Sequence, residues 1–192
     1  MKKLDIKKIA QEINSGKAIV LPFDTVYGLV ANPFNTDAMN KIYNIKGRDF
    51  NKPIALIFSS VDMVKQYINL DKKVETFIKA KTPGAYTFIF PWSKKERSHF
   101  ANQYHSLEKV GIRIPDNKNI LDLIKKLGQP IAATSANVSD QPNCWSVQEF
   151  ESQIKDNEYQ PDLIIDGGVL SKNPPSEVVD ISNIEEIKIL RN

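Results

Sequence analysis

Lys46-Gly47-Arg48 sets a mobile ammonium and a planar guanidinium on either side of a glycine, a spacing able to aim two cations at one anion. Phosphate oxygens are the natural partner: the Arg fork makes two parallel hydrogen bonds and the Lys supplies a point charge. Lys52, four residues after Arg48, can join them. Further polar groups stand at or beside the ends of apolar runs: Asp24 and Thr25, Arg113 within Val110–Pro115, Thr134-Ser135-Ala136-Asn137, and Ser176 ahead of Glu177. Strand ends are where an open α/β sheet presents its ligand crevice. Taken singly, each has a plain structural use. Thr25 closes a turn, Arg113 pairs with a surface carboxylate, Ser135 and Asn137 cap a turn or helix, and Lys46 and Arg48 complement a helix dipole. Their shared placement is what points to a site.

Other chemistries have less to stand on. The chain has neither a Walker A pattern nor G-x-G-x-x-G, so a nucleotide bound here is held without a glycine-rich cradle. His99 and His105 lie in a polar, aperiodic stretch with no second pair of ligands at metal-binding spacing. Cys144 is the single cysteine, so an internal disulfide and a thiolate metal site are excluded, and a reducing, cytoplasmic setting is expected. Asp166-Gly167-Gly168 reads as a strand-terminal turn.

The elements that must position these groups follow from hydrophobic period and punctuation. Helices are expected over 4–14, about 37–46 with Asn35 or Thr36 as cap, 61–68, 71–80, and through Ile120, Leu121, Ile124 and Leu127 to a stop at Gly128. Strands are expected at 18–21, 26–30, 53–58, 86–90, 110–114, 131–134, 163–165 and 177–181, with a last one through Glu185, Ile187 and Ile189. Residues 93–108 show no clean period and are expected to form a mobile loop. Strands interleaved with helices argue an α/β fold around one twisted, mixed sheet.

The 192 residues, 41% hydrophobic and 26% charged, suffice for one cored domain over 1–192 and exclude a disordered chain. No apolar stretch reaches membrane-spanning length, and the charged N-terminal segment does not read as a signal peptide. The net charge of +3 is mild beside that of dedicated nucleic-acid binders.

In order along the chain, Pro22-Phe23-Asp24-Thr25-Val26-Tyr27-Gly28-Leu29, Lys46-Gly47-Arg48, Pro83-Gly84-Ala85-Tyr86-Thr87, Gly111-Ile112-Arg113-Ile114-Pro115, Ala133-Thr134-Ser135-Ala136-Asn137 and Pro175-Ser176-Glu177-Val178-Val179-Asp180 stand within about residues 15–181. This set resembles the YrdC/TsaC family, the threonylcarbamoyl-AMP synthases of tRNA modification, in its short form without the extra C-terminal domain of longer members. Four positions depart from the family pattern. Phe23 stands where Thr is usual, Ala85-Tyr86 replaces a Pro and an aliphatic residue, Ile57 lies where many members carry His, and Glu177 follows Ser176 in place of Thr.

The resemblance implies a YrdC-like domain with a basic concave cleft, and a cytoplasmic enzyme. Its reaction would join L-threonine, bicarbonate and ATP into threonylcarbamoyl-AMP and pyrophosphate, with Mg²⁺ accompanying the nucleotide. Partner proteins of a threonylcarbamoyl-transfer complex would pass the group to an adenosine beside the tRNA anticodon. By motif matching, Lys46 and Arg48 would be catalytic and, with Lys52, Ser135 and Asn137, bind ATP, while Thr25, Arg113 and Ser176 would bind threonine. Two rival readings are a double-stranded RNA or tRNA binding module and a carbamoyl-adenylate enzyme with another acceptor, as in the YrdC-like domain of hydrogenase maturation proteins.

Overall fold

The structure, a computed structural model, describes residues 5–191. In chain order its helices are α1 (Ile6–Asn14), α2 (Thr36–Lys46), α3 (Val61–Val64), α4 (Lys72–Lys81), α5 (Lys94–Arg97), α6 (Lys118–Leu127) and α7 (Val147–Ile154). The strands are β1 (Ile19–Pro22), β2 (Tyr27–Ala31), β3 (Ala55–Ile57), β4 (Tyr86–Pro91), β5 (Lys109–Arg113), β6 (Ile131–Ser135), β7 (Leu163–Ile164), β8 (Glu177–Asp180) and β9 (Lys188–Arg191). All nine pair into one mixed sheet in the order β7-β1-β2-β6-β3-β5-β4-β8-β9.

Continuous apolar runs become the strands buried on both faces. Ile19, Val20, Leu21, Leu29 and Val30 are fully buried, as are Leu56 and Ile112 in the parallel pair β3/β5. Amphipathic helices cover the sheet. α1 buries Ile9, Ala10 and Ile13 and packs on α6, which buries Ile120, Leu123 and Ile124. Leu121 and Leu127, also expected to face inward, are only half-buried. α2 is capped by the Asn35 side chain at Ala38 N and ends at Gly47, whose φ of 56° is left-handed and so favours glycine. That sharp exit separates Lys46, in the last helical turn, from Arg48, already in the loop.

The structure corrects several expectations. The first helix begins at Ile6 among the described residues, and Leu4 lies outside them. The run 53–58 is strand only over Ala55–Ile57, and 61–68 is helical only to Val64. Residues 93–108 are mostly exposed but contain α5 and are anchored on the core by a few side chains. Phe100, Ala101 and Tyr104 are buried, Trp92 donates its indole N–H to Leu107 O at 2.9 Å, and Ala101 N reaches Pro33 O at 2.8 Å. Aromatic contacts among Trp92, Phe100 and Tyr104 hold this segment in place, a packing by aromatic rings that leaves no helical or strand period to read. Helix α7 was missed, although Ser146 and Glu149 form the reciprocal capping box that marks a helix start. The last strand begins only at Lys188, because Asn183 accepts from Glu185 N in a turn and a register shift between Val178 and Val179 resets the pairing with β8.

Candidate active site

A cleft of about 460 Å³ takes in the ends of β5 and β6 at Arg113 and Ser135 and runs along one face of β4, β5 and β8. Its walls come from the β1–β2 turn (Thr25), the loop after α2 (Arg48, Lys52), β5 (Lys109, Arg113), β6 (Ser135), the start of β8 (Ser176) and β9 (Arg191). Gly28 lies under the Phe23 ring, where a Cβ would come within 2.5 Å of a ring carbon, so this wall requires glycine. Five cationic side chains line the cleft, and among the described lining residues there is no carboxylate.

Arg113 closes β5 with only 8% of its surface exposed. Its Nη2 donates to Asp24 Oδ1 at 2.7 Å and its Nη1 to Thr25 Oγ1 at 3.2 Å. Asp24 in turn accepts from Asp116 N, so the fork is held from behind by a carboxylate that is itself fixed. Burial lowers the Arg113 pKa, and the charge and hydrogen bond of Asp24 oppose that shift. The guanidinium therefore stays charged, oriented and partly unused, which suits bidentate capture of a small carboxylate.

Ser176 stands beside it. Its hydroxyl lies 2.9 Å from Thr87 Oγ1, and Arg191 grips Ser176 by donating to its carbonyl from Nη2 at 2.8 Å and from Nε at 3.2 Å. Sequence reasoning missed Arg191, the last described residue of a strand whose residues are all exposed, Arg191 included. Its pKa is lowered first by burial and then by the fields of Arg113 and Arg48, so three guanidinium groups from distant parts of the chain converge here. Lys109, also missed, pairs with Asp180 at 2.8 Å. Strand alternation alone does not separate either residue from an ordinary solvent-facing cation.

Lys46 is placed differently from expectation. It is 2% exposed and does not line the cleft, and neither does Asn137. The ammonium spends its three protons on Ser135 O (2.6 Å), Asn137 O (2.6 Å) and Asn137 Oδ1 (2.9 Å). Burial, then the field of Arg48, pushes its pKa down to about 7. The same Asn137 Oδ1 accepts the Ser135 hydroxyl at 2.6 Å, and Lys46 O accepts from Ser139 N. Lys46 thus knots the end of α2 to the turn after β6, and only Ser135 of this knot reaches the cleft. Arg48 does line it, braced on its own loop by hydrogen bonds from Nε to Lys52 O and from Nη2 to Pro53 O, each 3.1 Å. Cys144 is buried, and its thiol is pushed up to about 11 chiefly by that burial, which leaves it no nucleophilic role.

The architecture and this ring of residues can be set beside known proteins. The model of the Sua5/YciO/YrdC family, described as "Telomere recombination", matches residues 11–192. The chain belongs to this family. Curated relatives include the threonylcarbamoyl-AMP synthases of Vibrio campbellii (28% identical over 92% of this chain and 94% of that protein) and Bos taurus (33%, over 97% and 67%). That of Bacillus subtilis is 34% identical over 96% of this chain, which spans only 52% of that longer protein. Among solved structures, Pyrococcus abyssi Sua5 complexed with L-threonine superposes with a TM-score of 0.85 at 28% identity, over 100% of this chain and 54% of that one. Escherichia coli YciO gives 0.81 at 25%, over 97% and 88%. HypF at 22% identity and 0.82 shares the fold.

Proposed function

We propose that this Sua5/YciO/YrdC-family chain is an L-threonylcarbamoyladenylate synthase, a nucleotidyl-transferring enzyme that forms threonylcarbamoyl-AMP and pyrophosphate from L-threonine, bicarbonate and ATP. The observation that carries the reading is a single cleft lined both by a buried Arg113 flanked by the hydroxyls of Thr25 and Ser176 and by Arg48, Lys52 and Ser135. The relatives named threonylcarbamoyl-AMP synthase and the threonine-bound Sua5 of the same fold support it.

Threonine's carboxylate would meet the Arg113 fork, with Thr25 and Ser176 offering hydroxyls beside it. Its amine and bicarbonate give a carbamate and water. A carbamate oxygen then attacks the α-phosphorus, the bond from that phosphorus to the bridging oxygen breaks, and pyrophosphate leaves with the electron pair. Two anions must approach while charge builds on the leaving group, so positioning and fixed positive charge do most of the work. Arg48, Lys52 and Arg191, which line the cleft, would supply that charge, and Lys46 would position the Ser135 wall through its hydrogen bonds. The cleft suits Mg²⁺ only as an ion carried by the nucleotide, since its lining offers hydroxyl oxygens and no carboxylate. Bound there, it would neutralise triphosphate charge. Handing the product to partner proteins for transfer to tRNA is part of the same proposal.

Pyrophosphate release measured with each substrate omitted in turn tests the reading. Release should require both threonine and bicarbonate, and the adenylate product should carry the mass of one threonylcarbamoyl group. Release indifferent to threonine would overturn it. The RNA-binding alternative gains nothing from this geometry, because the cations gather inside a cleft of small-molecule size.

A further inference from the structure

The hydrogen-bond directions in the Lys46–Asn137–Ser135 knot are determined, and they settle what Ser135 can offer a ligand. Asn137 Oδ1 receives both Lys46 Nζ and Ser135 Oγ, while Asn137 Nδ2 donates to Val138 O at 3.0 Å and Gln141 O at 2.7 Å. Turning the amide over would set its N–H₂ against an ammonium and its oxygen against two carbonyls, so this orientation is the only one that satisfies every group. A carbonyl oxygen accepts and never donates. The Ser135 hydroxyl proton therefore lies toward Asn137, and what remains on Oγ is lone-pair density.

Of these three residues, Ser135 alone lines the cleft. A phosphate oxygen, itself an acceptor, gains nothing from a lone pair, whereas a hard cation does. We propose that Ser135 Oγ is the protein ligand for the nucleotide-borne divalent cation, and that Lys46 and Asn137 are positioning residues that hold its lone pairs toward the cleft. The proposal rests on the ATP reading above. It accounts for a buried lysine whose three protons are all taken by protein acceptors, and for the lack of a lining carboxylate, since a cation that arrives on a triphosphate needs few protein oxygens.

The test replaces the hard oxygen with a soft sulfur. Ser135→Cys and wild type are titrated calorimetrically with a non-hydrolysable ATP analogue in the presence of Mg²⁺, Mn²⁺ or Cd²⁺, or with chelator alone. The variant should bind the Mg²⁺ complex about tenfold or more weakly and recover wild-type affinity with Cd²⁺, accompanied by an ultraviolet cadmium–thiolate charge-transfer band absent from wild type. Buried Cys144 is present in both proteins and is thereby controlled. Lys46→Met should weaken the Mg²⁺ complex by about 10- to 100-fold, as loss of an outer partner of a metal ligand does, with no rescue by Cd²⁺. Equal affinity of Ser135→Cys for all three metal complexes, or an equal loss in all three, would overturn the proposal, as would an equal loss with chelator alone. Failure of wild type to bind the analogue under any condition would instead overturn the ATP reading.

Discussion

Arg113 and Lys46 are both cations buried at strand and helix ends, yet the cleft uses them in opposite ways. Arg113 keeps part of its fork toward the cavity, so Arg113→Ala should raise the threonine KM steeply while nucleotide affinity, read by calorimetry, stays near wild type. Truncating one partner of a buried charge pair costs on the order of 2–5 kcal/mol. Arg113→Lys should restore little of it, because an ammonium cannot make the two parallel bonds. Lys46 has no proton left for a ligand. On the motif alone, Lys46→Ala should lower kcat with stability unchanged or raised through relief of repulsion from Arg48. The geometry reverses the second half: three hydrogen bonds would be lost at a buried site and Asn137 O left without its donor, at about 1–3 kcal/mol, so Lys46→Ala should melt measurably lower as well as lose activity. Arg48→Ala should separate the two effects, with kcat down about 10²-fold or more at a nearly unchanged melting temperature, because its own hydrogen bonds lie at an exposed loop.

At the scale of the element, α2 delivers its last residue into a place with little water, and this makes stability depend on pH. The Lys46 pKa falls from 10.5 to about 7 on folding, chiefly by burial. Between those values the unfolded chain binds more protons than the folded one, so stability should rise as pH rises from about 7 toward 10.5. Denaturant midpoints at pH 7 and pH 9 should show wild type gaining more than Lys46→Met over that interval. A different end of the fold tests α7: Ser146→Ala removes the cap that Glu149 N receives at 3.2 Å and should cost about 1 kcal/mol in thermal or denaturant unfolding, without touching the cleft.

For the whole molecule, the cleft is built from residues 23 to 191, so occupying it links both ends of the chain. A nucleotide at 100 times its dissociation constant stabilises the native state by about 2.7 kcal/mol, which in a chain of this size is on the order of 5–10 °C in melting temperature. Threonine should add a further increment in wild type and none in Arg113→Ala. The chain's charge of +3 supports the same economy: cations are few in excess, and those lining the cleft are gathered by topology.

Much of this was legible in the one-dimensional order of residues. Period and capping residues placed α1, α2 and α6, and apolar runs placed most strands, because local sterics and one-sided burial act within a few residues of chain. The six ordered motifs named the family for the same reason: turn and strand-end residues keep their spacing when the fold is kept. Tertiary structure decided the rest. Which strand lies beside which, with β6 between β2 and β3 and β9 at the far edge, depends on contacts between distant segments. Only that order brings Arg191 beside Ser176 and sets Arg113, Arg48 and Arg191 around one cavity. The direction of a side chain was beyond the sequence too. Lys46 and Arg48 stand two residues apart and read as a pair, but the left-handed Gly47 between them turns one into the core and the other toward the cleft. A lysine's reach is long and its stem flexible, so only the acceptors packed around its ammonium could decide which way it points.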